Sequence, residues 1–168
     1  LTFLNPTSDP LGSSYNVTQS IIAIGSGQIF GRGLGRGTQS QLSFLPEQLT
    51  DFIFASIAEE FGFIGILFIF AAFFLIIIRV LKIIMESNNN FAKLFCAGFL
   101  ILIMSQFFIN VGMNLGLVPV IGLSLPFVSY GGSHLVILML GLGIIQSIRI
   151  RNREIRSESS FASEILEN

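Results

Sequence analysis

From Leu94 to Ser133 the chain carries no Asp, Glu, Lys or Arg in 40 residues. A helix of that length would rise about 60 Å, twice the hydrocarbon thickness of a bilayer. One span cannot use it all, and Pro119 and Pro126 interrupt it. The run predicts a membrane span over about Ala92 to Asn114, then an irregular stretch, then a further span. A second uncharged run, Phe61 to Ile78, has 18 residues between Glu60 and Arg79 and predicts an earlier span. Composition agrees: 11% of residues are charged and mean hydropathy is +0.78, whereas soluble domains carry about 25% charged residues.

The third apolar run, Leu135 to Ile148, has 14 residues. Helix there rises only about 21 Å, so the span is predicted to begin earlier, near Pro126 or Ser129. Within the middle span lie Ser105, Gln106, Asn110 and Asn114. Facing lipid they would be unsatisfied, so they are expected to face protein or a cavity. The stretch 116–134 is rich in Gly and Pro, and irregular backbone at membrane depth must be buried in protein or line a cavity.

Before the first span, YNVTQSIIAI (15–24) is too short to cross and predicts an interfacial helix, with Ser13 or Ser14 as its N-cap. Residues 1–14 read as a loop. GSGQIFGRGLGRG (25–37) holds six glycines with Arg32 and Arg36. It reads either as a backbone cradle for phosphate or as a flexible connector, and it matches neither the Walker loop nor the dinucleotide fingerprint. The predicted fold class is all-α: a polytopic membrane protein with an outer region (1–60), three transmembrane helices (61–149) and a charged, mobile tail (150–168).

Seven of the nine Lys and Arg lie at one face: Arg79, Lys82, Lys93, Arg149, Arg151, Arg153 and Arg156. The positive-inside rule puts that face and the C-terminus in the cytoplasm, and Asp51 and the 119–134 loop outside. The net charge of −1 gives no basic field for nucleic acid. The single cysteine, Cys96, cannot form an internal disulfide and has no metal-ligand cluster around it. The chain opens at Leu1 without methionine, which points to the C-terminal part of a longer protein.

Against this apolar background, FLPEQLTDFIFASIAEEFG (44–62) holds four carboxylates: Glu47, Asp51, Glu59 and Glu60. Asp51 stands just before a helical run, where an aspartate is a favoured N-cap. On local sequence the cap is the stronger reading; a chemical role is the other. Glu59 lies eight residues on, about 12 Å along a helix, beyond the 5–9.5 Å of paired glycosidase carboxylates. Glu59 and Glu60 are therefore read as structural ion pairs or hydrogen bonds at the membrane boundary.

Three stretches, YNVTQSIIAIGSG, GRGLGRGTQSQLSFLPEQLTDFIFASIAEEFG and NVGMNLGLVPVIGLSLPFVSYGGS, in this order, resemble the SEDS family (shape, elongation, division and sporulation) of polytopic bacterial membrane proteins. GTQSQLSFLPE resembles the rod-shape (RodA) branch more than the division (FtsW) branch. The resemblance implies the last three spans of a longer bundle with the large outer loop before them. It implies a peptidoglycan glycosyltransferase of the bacterial inner membrane that polymerises lipid II, working with a class B penicillin-binding protein as transpeptidase. The 4-hydroxyl of one sugar attacks the anomeric carbon of another, undecaprenyl pyrophosphate leaves, and a β linkage forms.

In the family the aspartate of TDFIFA is essential, and that residue is Asp51. The resemblance reverses the local preference and makes it the general base. An aspartate is a weak base at neutral pH, since the unperturbed group titrates near ~3.9, and partial desolvation at a cavity rim strengthens it. Candidate substrate-binding residues are Arg32, Arg36, Glu47, Thr50, Asn110, Asn114, Ser129, Tyr130 and Ser133. Arginine suits pyrophosphate oxygens, although pairing with Glu47 is an equal use. The 129–133 turn lines the cavity or serves helix packing. A divalent cation between Asp51 and pyrophosphate is compatible with this chemistry, but the sequence shows no dedicated cage and no cofactor is assigned. Leu49 replaces the usual His or Gln before the Thr-Asp pair, and SYGGSH replaces SYGGSS, with His134 read as a boundary residue. A lipid-precursor flippase and a non-enzymatic cell-wall scaffold are the competing functions.

Overall fold

The structure, a computed structural model, describes residues 13–37 and 50–167, with side chains over 15–37 and 50–154. All regular structure among the described residues is helical. Helix α1 is Ser13–Ser26, α2 Ile53–Glu86, α3 Asn90–Asn114 and α4 Gly132–Glu167. Three helices are long and apolar enough to cross a membrane: Ile53–Glu86, Asn90–Asn114 and Gly132–Glu154.

The spans pack along one seam. On α3 the buried positions Ala92, Cys96, Leu100, Ile103, Phe107, Asn110 and Asn114 follow one another along the helix, and at its end Val111, Gly112 and Met113 are buried as well. This i, i+4, i+3/i+4 spacing makes a single stripe down the helix. Phe107 meets Phe73 of α2 with ring centroids 4.3 Å apart, and Ile69, Val111, Leu125 and Leu138 complete that layer. Nearer the α2–α3 turn, Val80, Ile83, Cys96, Leu100 and Ile145 form a second layer. Outward faces stay apolar and exposed, as at Phe68, Phe74, Leu94 and Ile137, which suits a bilayer. The turn between α2 and α3 is closed by Asn89, whose Oδ1 accepts from the Phe91 N–H at 2.9 Å.

Two expectations change. The last span begins at Gly132, not near Pro126 or Ser129, and gains its length at the other end, where helix continues past Ile148. Phe127 has φ 63, a left-handed value that breaks a helix, and residues 126–129 form a turn instead. Helix α4 continues through the charged stretch after Ile148 as far as Glu167. Ser105, expected to face protein, is exposed; its hydroxyl is satisfied by donating to the Leu102 carbonyl at 2.9 Å.

Helix α2 is broken. Gly62 has φ 67 and ψ −158, a backbone region open essentially to glycine alone. In an unbroken helix the Phe63 and Ile64 N–H groups would donate to the Glu59 and Glu60 carbonyls. Here Phe63 donates to the Gln28 carbonyl (2.9 Å) and Ile64 to the Ile29 carbonyl (3.2 Å). The Glu59 and Glu60 carbonyls accept from the N–H groups of Arg32 and Gly33, both at 3.0 Å. The glycine-rich segment after α1 is therefore inserted into the break, and four hydrogen bonds replace two. A Cβ on Gly62 would collide with the Gly31 main-chain nitrogen, and one on Gly31 with the Glu60 carbonyl. Close backbone approach explains the glycine density.

Candidate functional site at the start of the first span

The N-cap position of α2 belongs to Phe52, one residue after Asp51, and its side chain makes no capping bond. The capping acceptor comes from another helix: Asn114 Oδ1 accepts the Ala55 N–H at 3.3 Å. Ala55 is the third residue of α2, one of the positions whose N–H a cap normally satisfies. A residue 59 positions away thus supplies the cap that the local sequence assigns to Asp51.

The same asparagine is saturated. Its Nδ2 donates to the Asp51 carbonyl (3.1 Å) and the Asn110 carbonyl (2.8 Å), and its Oδ1 also lies 3.2 Å from the Ser20 hydroxyl. Ser20 donates to the Asn114 carbonyl at 2.8 Å as well. Asn110 Nδ2 donates to the Asp51 carbonyl (3.0 Å) and the Leu123 carbonyl (2.6 Å). The Asp51 carbonyl therefore receives two amide protons, filling both its lone pairs. One residue earlier, Ser129 Oγ donates to the Thr50 carbonyl (2.6 Å) and accepts from the Leu125 N–H (2.7 Å). Ser20, Asn110 and Asn114 are each 0% exposed.

The α3 stripe explains how these groups converge. Its apolar positions run up to Phe107, and Asn110 and Asn114 continue in register where the seam meets the start of α2. Just past α3, Gly116 turns the chain at φ 72, with the Leu117 N–H bonded to the Gly112 carbonyl at 2.8 Å. Residues 117–125 then fold back over the helix end. This brings Gly122 beside the half-buried Asp51, where a Cβ on Gly122 would stand 3.4 Å from Asp51 Oδ2. Leu125 and Pro126 are buried, as expected for irregular backbone at this depth.

The structure thus gathers Thr50, Asp51, Asn110, Asn114 and Ser129. Tyr130, 81% exposed, and exposed Ser133 follow at the entry to α4. Arg32 and Arg36 lie elsewhere, on the segment inserted at the Gly62 break, and both are exposed. Arg32 Nε donates to the Ser26 carbonyl at 3.4 Å. Glu59 is fully buried, and Glu60 Oε1 accepts from the Gly35 N–H at 3.2 Å. Glu47, the Leu49 departure and residues 1–12 lie outside the described residues. His134 is half-buried with its Nε2 atom unpaired among the described residues. Among those residues no three His, Cys, Asp or Glu cluster as metal ligands. Sequence reasoning missed Ser20, Gly122 and Leu123. Ser20 has a signal in retrospect, as a hydroxyl just before the IIAI run of an otherwise apolar helix face.

Comparison with known proteins extends the match beyond the site. Residues 1–154 match the model of the FtsW/RodA/SpoVE family, described as cell cycle protein. Over 150 residues the chain is 49% identical to peptidoglycan glycosyltransferase MrdB of Escherichia coli K12, covering 89% of this chain and 40% of that protein. It is 43% identical over 149 residues to peptidoglycan glycosyltransferase RodA of Treponema pallidum, covering 89% and 34%. A chain of a solved peptidoglycan synthase complex, in which polymerisation and crosslinking are coordinated, superposes with a TM-score of 0.73 at 29% identity, covering 90% of this chain and 40% of that one. This chain therefore spans about two-fifths or less of the length of these relatives. With the family model matched over most of its length, the chain belongs to the FtsW/RodA/SpoVE family, also called SEDS.

Proposed function

We propose that the protein bearing this chain is a peptidoglycan glycosyltransferase of the rod-shape type, polymerising lipid II at the outer face of the bacterial inner membrane, with Asp51 as general base. The observation that carries this reading is the double anchoring of the Asp51 carbonyl by Asn110 and Asn114, with Asn114 also capping α2. These bonds fix the main chain that bears the carboxylate, on rigid elements, while Asp51 stays half-buried at a rim. Preorganisation of this kind is what positions a catalytic group.

In the reaction the Asp51 carboxylate takes the proton of the acceptor sugar's 4-hydroxyl. That oxygen forms a bond to the donor's anomeric carbon as the bond to pyrophosphate breaks. Undecaprenyl pyrophosphate departs with the electron pair, and the anomeric centre inverts to β. Asn110, Asn114 and Ser129 serve by positioning, because their hydrogen bonds run to the main chain around Asp51. Thr50, Tyr130 and Ser133 border the substrate, and Arg32, Arg36 and Glu47 act at its charged periphery. A class B penicillin-binding protein crosslinks the product, and the C-terminus faces the cytoplasm. A divalent cation would be held by the Asp51 carboxylate and would supply positive charge for the leaving pyrophosphate.

The test is Asp51→Asn in the complete protein, assayed for glycan polymer made from lipid II. Polymerisation should fall by roughly 10²–10⁴-fold, the usual contribution of general base catalysis, while the folded protein persists. Wild-type polymer yield from the variant overturns the assignment. Labelled lipid II crossing a vesicle without polymer would instead indicate a flippase.

A further inference from the structure

Ser20 lies in the middle of α1 and is 0% exposed. A serine inside a helix commonly satisfies its hydroxyl on a carbonyl one turn back. Ser26 of the same helix does so, donating to the Ala23 carbonyl at 2.9 Å, and Ser105 of α3 donates to the Leu102 carbonyl at 2.9 Å. Ser20 instead reaches a residue 94 positions away. Its Oγ lies 2.8 Å from the Asn114 main-chain carbonyl and 3.2 Å from Asn114 Oδ1. Packing aims the hydroxyl. A Cβ on Gly116, just past α3, would stand 3.1 Å from Val17 Cγ1 and 3.2 Å from Ile21 Cδ1. Val17, Ser20 and Ile21 share one helical face, and that face lies against the end of α3.

Asn114 is the last residue of α3. Carbonyls in the last turn lack a partner inside their own helix, and helix ends fray unless something outside holds them. Ser20 supplies that partner for the final carbonyl. The Asn114 side chain in turn gives the Ala55 N–H its acceptor and the Asp51 carbonyl one of its two donors. Three helices are thus linked in series. A hydroxyl of α1 caps the C-terminus of α3, and an amide from that C-terminus caps the N-terminus of α2. The Ala55 N–H and the acceptor carbonyls decide which way the amide faces. They do not hold the main chain from which it extends, and the Ser20 hydroxyl does. A reacting group is sensitive to such support, since a displacement of about 1 Å can cost about 100-fold in rate.

We propose that Ser20 is a positioning residue for glycosyl transfer, setting the place of Asp51 through Asn114, so that α1 helps hold the reaction geometry. The proposal rests on the reading of Asp51 as general base. Ser20 is fully buried and acts on the substrate only through other groups. Its loss should therefore disturb alignment rather than substrate binding.

The test uses the complete protein, with glycan polymer from lipid II and Tm measured on the same preparations. Ser20→Ala should lower kcat about tenfold, with the lipid II KM unchanged. Ser20→Cys keeps the volume with a weaker donor; it should lose several-fold in kcat, and it serves where Ser20→Ala does not fold. Ser26→Ala removes a hydroxyl bond that stays within α1 and should leave kcat unchanged. In an Asn114→Ala background, Ser20→Ala should cost less than about twofold more, because the amide it places is gone. Wild-type kcat in either Ser20 variant, with only Tm lowered, overturns the proposal and leaves Ser20 a structural residue alone. So does an equal loss in Ser26→Ala, which reports the stability of α1 in general, or an undiminished loss in the Asn114→Ala background. Asp51→Asn run alongside separates the two readings. Wild-type polymer from it removes the base and this proposal with it, whereas lost polymer from it beside wild-type kcat in Ser20→Ala removes Ser20 alone.

Discussion

Helix α2 meets the same physical problem at two places and solves it in two ways. At its start, and again at Gly62, main-chain groups lose their helical partners, and a buried unpaired group costs about 1–3 kcal/mol. At the start the partners are side chains: Asn110, Asn114 and Ser129 reach the carbonyls of Thr50 and Asp51 and the N–H of Ala55. At Gly62 the partner is another length of backbone, 28–33, inserted into the gap. The side-chain solution divides among separate residues and is open to graded change. The backbone solution depends on the absence of side chains and fails abruptly when one is added.

The largest effect should therefore come from Gly62→Ala. It combines a backbone region that costs about 1–3 kcal/mol for other residues with a collision against Gly31 N. A loss of several kcal/mol is expected, seen as a collapse of the monodisperse peak in size exclusion and a sharply lower Tm. A variant with wild-type Tm would mean that the inserted segment does not hold the break. Asn114→Ala should come next. It strands the Ala55 N–H and removes one donor each from the Asp51 and Asn110 carbonyls, while Ser20 keeps its bond to the residue-114 carbonyl, so a loss of about 1–3 kcal/mol from the one stranded group is expected. Asn114→Asp sharpens the comparison, because it keeps the acceptor for Ala55 but loses both donors. If the donors matter for positioning, turnover falls in Asn114→Asp by more than its Tm does, with lipid II KM little changed.

The contrast also separates what the sequence reveals from what it hides. Asn110 and Asn114 stand out in a charge-free run, so their need for a protein partner was legible. That Asn114 would cap a helix 59 residues earlier was not, because capping rules look only at neighbours in the chain. The cap reading of Asp51 follows those rules and gives way to a tertiary contact. The break at Gly62 sits inside a run that reads as continuous apolar helix, so length and hydropathy conceal it. Its signal is joint: glycines cluster at 25–37 and recur at Gly62, and two glycine-bearing stretches that need close approach serve each other. Read alone, the 25–37 cluster left phosphate cradle and connector open, and the backbone insertion is a third use. The α4 start was misplaced for a similar reason. Ser129, a sensible helix start by local rules, is engaged by the Thr50 carbonyl and stays in the turn.

Smaller effects test how evenly each solution is divided. Ser129→Ala removes one donor and one acceptor and should cost about 1–3 kcal/mol, read as a lower Tm, with polymerisation reduced but measurable. Retained Tm with lost polymer would instead place the Ser129 hydroxyl against the substrate.

At the glycine insertion the matching probe is Glu60, whose side chain joins the backbone scheme through Oε1 and the Gly35 N–H. The carboxylate is only partly buried and the bond is long at 3.2 Å, so water can replace it. Glu60→Gln keeps an acceptor at the same position and should leave Tm within experimental error. Glu60→Ala should lower stability by about 0.5–1.5 kcal/mol, the net worth of one hydrogen bond. Equal and large losses in both variants would show that the negative charge itself holds the segment, and the insertion would then be electrostatic as well as steric. Small, unequal losses leave the backbone exchange at Gly62 as what holds it, since the four main-chain bonds survive either change.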